Sequence, residues 1–300
     1  MSTNQGNPDP WRWEEPEWRA HVARVRAGRR LVRPWPGGAR VAVALSFDAD
    51  HETIPLRTGV TEPVALSLGE YGSRVAAGRI LQVLEHSRAP ATFFMPAVSA
   101  LLHPEEPRDY QAAGHEVAVH GWIHEDNAQL TAPQERELTA RAADTLERLT
   151  GRRPTGIRAP SWSFSHATAS IITELGFAYD SSLMADDDCY ELVADGRPTG
   201  VVELPVSWIR DDAVYFSSAR VAVPPRAVLE IWRDEFDAAR ASGGLFQLTM
   251  HPHIIGHRSR LVALTELIAH IAACGDVWFA THAQIAAHVQ PELTVRATGQ

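Results

Sequence analysis

Two short segments carry residue types that metals and proton transfers need. Ser46-Phe47-Asp48-Ala49-Asp50 closes one apolar run, and His120-Gly121-Trp122-Ile123-His124 closes another. A carboxylate with two imidazoles is the ligand set of a catalytic zinc, which takes three protein ligands and leaves a position open for water. A third run, Leu248-Thr249-Met250-His251-Pro252-His253, brings further imidazoles to the end of an apolar stretch. The chemistry suggested is hydrolysis at one metal centre fed by three strand ends. Each pattern alone has an ordinary alternative: Asp-x-Asp as a turn or helix cap, the histidine pair as surface or core imidazoles, His251 as a loop residue stiffened by Pro252.

The elements that must position these residues alternate along the chain. Strand-like runs cover 41–47, 91–97, 116–120, 156–159, 177–180, 201–206, 245–250 and 277–280, and helical periodicity covers 74–85, 107–113, 133–150, 166–175, 225–241 and 261–273. Strands separated by helices pair in parallel through right-handed crossovers, and a barrel is the natural closure. The two longest unpatterned stretches, 51–72 and 185–200, are expected as loops covering a site at the carboxyl ends of the strands.

Composition restricts the partners. A net charge of −9 and a pI near 5.9 argue against nucleic acid or an anionic membrane, which require clustered positive charge. Cys189 and Cys274 are too few for a disulfide framework and are expected to be reduced. No segment is apolar enough for a signal peptide or a bilayer span, so the chain is read as cytoplasmic. Residues 1–39 are expected as an extension packing on the barrel, 40–290 as a single barrel domain, and 291–300 as a tail.

Asp48-x-Asp50, His120-x-x-x-His124, Arg158-Ala159-Pro160-Ser161-Trp162 and Leu248-x-x-His251, in this order, resemble the successive motifs of the polysaccharide deacetylase superfamily, the NodB-homology or carbohydrate esterase family 4 fold. The resemblance implies an α/β single-domain, distorted (β/α)7 TIM-like barrel, a divalent metal, usually Zn2+, and hydrolysis of a non-peptide C–N bond. It implies Asp50, His120 and His124 as metal ligands, Asp48 as general base, Arg158 as the partner keeping Asp48 ionised, and His251 as the acid protonating the leaving nitrogen. Physical chemistry supports the division: aspartates two apart in an extended segment face one way, and imidazoles four apart share a face of a helical turn. Arg74 is a candidate for reaching a substrate carbonyl. Trp122, Trp162 and Trp208 are candidates for an apolar pocket lining, against the ordinary reading of large aromatics as core. His51, Glu52 and His257 are read as solvated loop residues, and His253 at most as a pocket residue.

Two departures separate the chain from secreted deacetylases: Ala49 divides the aspartates, and Ser161-Trp162 follows Pro160 where an aromatic usually stands. Both are similar to a cytosolic branch of allantoinase-like and cyclic-imide hydrolase-like enzymes, and the presence of both histidines argues against metal-free chemistry. The leading expectation is a metal-dependent amidohydrolase of a small amide or cyclic imide, working in an enclosed pocket, with a homo-oligomeric assembly. The alternatives are an N-deacetylase of amino-sugar polymers and a catalytically silent binding barrel.

Overall fold

A computed structural model describes residues 9–217 and 223–293; most of the expected 291–300 tail lies outside the described residues. Its strands are β1 (Val25–Arg30), β2 (Val41–Asp48), β3 (Ala91–Met95), β4 (Glu116–Val119), β5 (Gly156–Ile157), β6 (Tyr179–Asp180), β7 (Tyr190–Ala194), β8 (Arg197–Glu203), β9 (Leu245–Met250) and β10 (Val277–Phe279). Eight of them pair in parallel, seven in the order β9-β2-β3-β4-β5-β6-β8 and β10 against β2. Among the described residues no ladder joins β8 to β9, and one bridge, Asp211 to Thr249, reaches β9 from the chain following β8. The barrel is therefore a curled sheet that stays open at one seam. β10 lies beside the first half of β2, with Val277 opposite Val41, and β3 takes over from Leu45 onward.

Position dictates the composition of β2. Every residue from Val41 to Asp48 is buried, because both faces are covered, and the strand reads as a near-continuous apolar run. Val43, Leu45 and Phe47 pack into the larger core with the helices, whereas Ala42 and Ala44 face a second cluster containing Phe94, Tyr179 and Ile285. The alternation of a strand delivers side chains to the two clusters in turn.

Two stretches differ from expectation. Residues 185–200 do not cover the site: they form most of an antiparallel hairpin in which β7 pairs with both β1 and β8. The cause is Asp195-Gly196, where φ is 47° and 74°, the primed two-residue turn that Asp-Gly favours. Residues 51–72 do lie at the site, but as the helices Thr53–Leu56 and Pro63–Tyr71. The latter continues into a π-helical turn, Gly72–Ala77. No helix among the described residues is long and apolar enough to cross a membrane.

Candidate active site

Strand ends supply the site. Asp48 is the last residue of β2, and Asp50 follows after Ala49, whose N–H donates to Phe94 O at 2.8 Å. The Thr53 and Ser99 hydroxyls each donate to the Asp50 carbonyl at 2.5 Å, fixing the backbone just beyond the strand. His120 and Arg158 extend the neighbouring ladders, their N–H groups donating to Met95 O and Val119 O. The four-residue spacing of His120 and His124 is not spanned by a helical turn. An irregular bend joins them, with φ of 75° at Gly121 and 64° at His124, and the Glu125 carboxylate accepts from the N–H groups of Trp122 and Ile123.

Left-handed backbone concentrates here. His51, His124, Ser161 and Trp162 all have φ between 52° and 64°, a conformation that costs non-glycine residues on the order of 1 kcal/mol or more each. Such strain persists where surrounding structure holds side chains in place, and three of the four, His124, Ser161 and Trp162, line one cavity.

The geometry brings three groups to one point. Asp50, His120 and His124 are buried, with a ligand atom from each lying within 4.8 Å of the others. His120 Nε2 and His124 Nε2 are 3.4 and 3.6 Å from Asp50 Oδ1. Neither Asp50 oxygen has a hydrogen-bond partner, although both are buried. A buried, unpaired carboxylate facing two imidazoles is the donor set a divalent cation satisfies, so the residues fit the metal. His120 Nδ1 lies 2.8 Å from the Arg158 carbonyl, which assigns the proton to Nδ1 and leaves Nε2 free to coordinate. Burial pushes the His120 imidazolium down to about 4 and that of His124 well below the ordinary range, so both rings are neutral at pH 7.

Asp48 is placed differently. Burial opposes its ionisation most strongly, but the Arg158 guanidinium, 2.6 Å away, together with His120 and His251 holds the carboxyl below its usual range. Arg158 is itself fully buried: it donates to Ser181 O, Ser181 Oγ and Ser46 Oγ and lies 4.0 Å from the centroid of the Phe94 ring. On the far side of Asp50, His251 Nε2 stands 3.8 Å from Oδ2. Its Nδ1 is 2.6 Å from Asp212 Oδ1, and its backbone N–H donates to the other Asp212 oxygen. Burial disfavours the imidazolium, but Asp212 and then Asp211 prevail and hold it well above the ordinary pKa.

Of the aromatic candidates, Trp162 and Trp208 line the cavity and contact each other, with ring centroids 4.2 Å apart. Trp162 is buried, whereas Trp208 is 53% exposed and so stands at the mouth. Trp122 is placed elsewhere: it leaves the strand end on the outer side of the bend, under the Arg141 guanidinium at 3.7 Å. Arg74 is outside the cavity too. It lies on the solvent face of the π-helical turn, paired with Glu70 at 3.6 Å, while Gly72, Ala76 and Ala77 face inward. His51 and Glu52 are not solvated loop groups but bond to Glu106 and His103.

Several residues of the site carried no motif. Asp212 follows an unremarkable Arg210-Asp211 and becomes significant through the bridge at Thr249. Arg57 Nη1 is 3.1 Å from His124 Nδ1 and 3.0 Å from Ser161 Oγ. A guanidinium only donates, so this contact places the His124 proton on Nε2, and coordination through Nε2 requires the exposed Arg57 to swing aside.

Residues 42–179 match the family model described as polysaccharide deacetylase. A crystal structure of a Mycobacterium smegmatis protein assigned as a polysaccharide deacetylase is 38% identical, with a TM-score of 0.83, over 90% of this chain and 96% of that one. The chain belongs to the polysaccharide deacetylase family. This family membership makes it a relative of hydrolases. A peptidoglycan deacetylase of Helicobacter pylori (strain ATCC 700392 / 26695) is 29% identical across 82% of this chain and 94% of that protein. The solved Puue allantoinase is 28% identical with a TM-score of 0.77, covering 87% of this chain and 93% of its own. The relatives of this chain thus include one named a peptidoglycan deacetylase and one named an allantoinase.

Proposed function

We propose that this polysaccharide deacetylase family member is a metal-dependent hydrolase that opens a non-peptide C–N bond in a small amide or cyclic imide. The observation that carries this reading is the cavity over the Asp50-His120-His124 cluster. It measures about 490 Å³ and is walled by Ile54, Leu68, Trp162, Trp208, Phe216 and Ile254. That volume falls within the range of pockets that bury small ligands, and the apolar side chains enclose the convergent polar groups of the Asp50 cluster.

In this reading Asp50, His120 and His124 hold the cation. A divalent metal bound there supplies Lewis acidity, polarising the amide carbonyl and making water a better nucleophile near neutral pH. Asp48, kept ionised by Arg158, accepts the proton of the attacking water. His251, kept protonated by Asp212, donates a proton to the departing nitrogen. The two groups have opposite charge states, the division that acid–base catalysis at one pH requires.

Asp212→Asn tests the acid. With the negative charge gone, the His251 pKa should fall, and the alkaline limb of kcat against pH should move about one to three units lower while the acid limb stays put. An unmoved alkaline limb would mean that another group supplies the proton.

The second reading is removal of acetyl groups from an amino-sugar polymer, favoured by the name of the Helicobacter pylori relative. A zinc-loaded preparation assayed against hydantoin, succinimide, a linear ureide and chito-oligomers separates the two. We expect ring opening of the small substrates to exceed oligomer deacetylation in kcat/KM; the reverse order would establish the polymer reading.

A further inference from the structure

The catalytic assignment leaves part of the cavity lining without a task. His253 and Arg260 line the same cavity as the Asp50 cluster but contact none of its members by hydrogen bond or ion pair. His253 is 6% exposed, and its buried Nδ1 has no partner. Burial, reinforced by the neighbouring His251, keeps its ring neutral, so it has one N–H to donate and one nitrogen to accept. Arg260 makes one hydrogen bond, from Nη1 to Ile254 O at 2.9 Å, and its guanidinium carbon lies 4.8 Å from the Phe216 ring centroid. Among the described residues no carboxylate reaches it as an ion pair, although Asp212 acts on it at longer range, and burial disfavours its charge.

The wall bearing these groups is braced. A side chain on Gly72 would put its Cβ 2.6 Å from His51 Nδ1 and 3.2 Å from His253 Cβ, so only glycine lets the π-helical turn approach this closely. A Cβ on Gly256 would meet that of Ala76 at 2.2 Å. Tyr71 stacks on His257 with centroids 4.2 Å apart and rings 9° from parallel, and its hydroxyl donates to Gly256 O. Inserted π turns often mark functional positions, and this one packs closely against His253 and Gly256.

Arg260 is the arginine of the cavity lining, and the His253 ring lies 5.8 Å from that of His251, beside the residues assigned to the chemistry. We propose that Arg260, together with the His253 imidazole, forms a subsite for a carboxylate carried by the amide or imide substrate away from the bond that is cleaved. The proposal rests on the small-amide reading above and deepens it. A guanidinium with free N–H donors offers a carboxylate a charge-assisted pair, and that pair would orient the substrate in the cavity.

Two measurements test it. In the first, zinc-loaded wild type and Arg260→Gln are compared on hydantoin and hydantoin-5-acetate. Arg260→Gln should raise KM for the carboxylated substrate by about 10–100-fold, the value of a hydrogen bond to a charged group, with kcat and the hydantoin KM little changed. Arg260→Lys should recover part of the loss. In the second, glutarate and the uncharged glutaramide are titrated into metal-free protein by calorimetry. Glutarate should bind the wild type and not Arg260→Gln, and glutaramide should bind neither appreciably. Glutarate binding that depends on Arg260, with no turnover of either hydantoin, would leave the subsite standing and overturn the small-amide reading. Equal handling of both hydantoins, or glutarate binding abolished by Arg57→Gln but not by Arg260→Gln, would overturn the subsite.

Discussion

His120→Ala is expected to abolish stoichiometric metal binding and, with it, turnover. His120 has the most constrained of the three candidate ligand side chains: it is 1% exposed, its Nδ1 is committed to the Arg158 carbonyl, and its Nε2 faces Asp50. Loss of an outer partner of a metal ligand lowers affinity by roughly 10–100-fold, and loss of a ligand itself should exceed that. Metal content after dialysis, read by elemental analysis, checks the result independently of activity. Full metal occupancy in His120→Ala would place the metal elsewhere, and the grouping of Asp211, Asp212 and His251 would be the next site to test. That grouping is the weaker candidate, because Asp212 is already bonded twice to His251 and Asp211 Oδ1 accepts from Ala213 N.

Asp48→Asn should separate chemistry from binding. The amide is nearly the same size and keeps an oxygen for Arg158 Nη1, so the pocket and the Asp50-His120-His124 cluster should survive. It cannot accept a proton from water, and turnover should fall by about 100-fold or more, the usual contribution of a general base. Metal content should equal that of wild type. An Asp48→Asn protein that turns over at the wild-type rate would assign the base to another carboxylate, with Asp211 lining the same cavity. The buried setting of Arg158 sharpens the expectation: Ser181, Ser46 and Phe94 hold the guanidinium whether or not Asp48 is charged.

The order of strands and helices was readable because period and punctuation agree. β2 and β9 are short apolar runs, and the long helices Ala132–Thr150 and Pro225–Ser242 begin with proline in the first turn and end at Gly151 and Gly243. Asp48, Asp50, His120 and His251 could be named as candidates because each stands at or just past an apolar run that reads as a strand, where the fold delivers side chains to one face, whereas Arg158 was named only through the order of the family's motifs. The Asp195-Gly196 turn was equally available, and its meaning was obscured by the unpatterned residues before it.

Tertiary structure alone decided the rest, because those features depend on contacts between segments far apart in the chain. Nothing local marks Asp212 as the partner of His251, 39 positions away; the bridge between Asp211 and Thr249 at the open seam creates that pair. Trp122 and Trp162 look alike as aromatics near strand ends, yet the Gly121–His124 bend turns one outward under Arg141 while the strained backbone at Ser161 and Trp162 turns the other onto Trp208. The Gly72–Ala77 turn removed Arg74 from the site and brought Gly72 against His253 instead. The sequence by itself determined which groups are candidates for the proposed hydrolysis and the elements that end at them. Only the packed chain determined which side chains share the cavity, because the open seam, the left-handed residues and the π-helical turn are settled by the whole set of contacts around them.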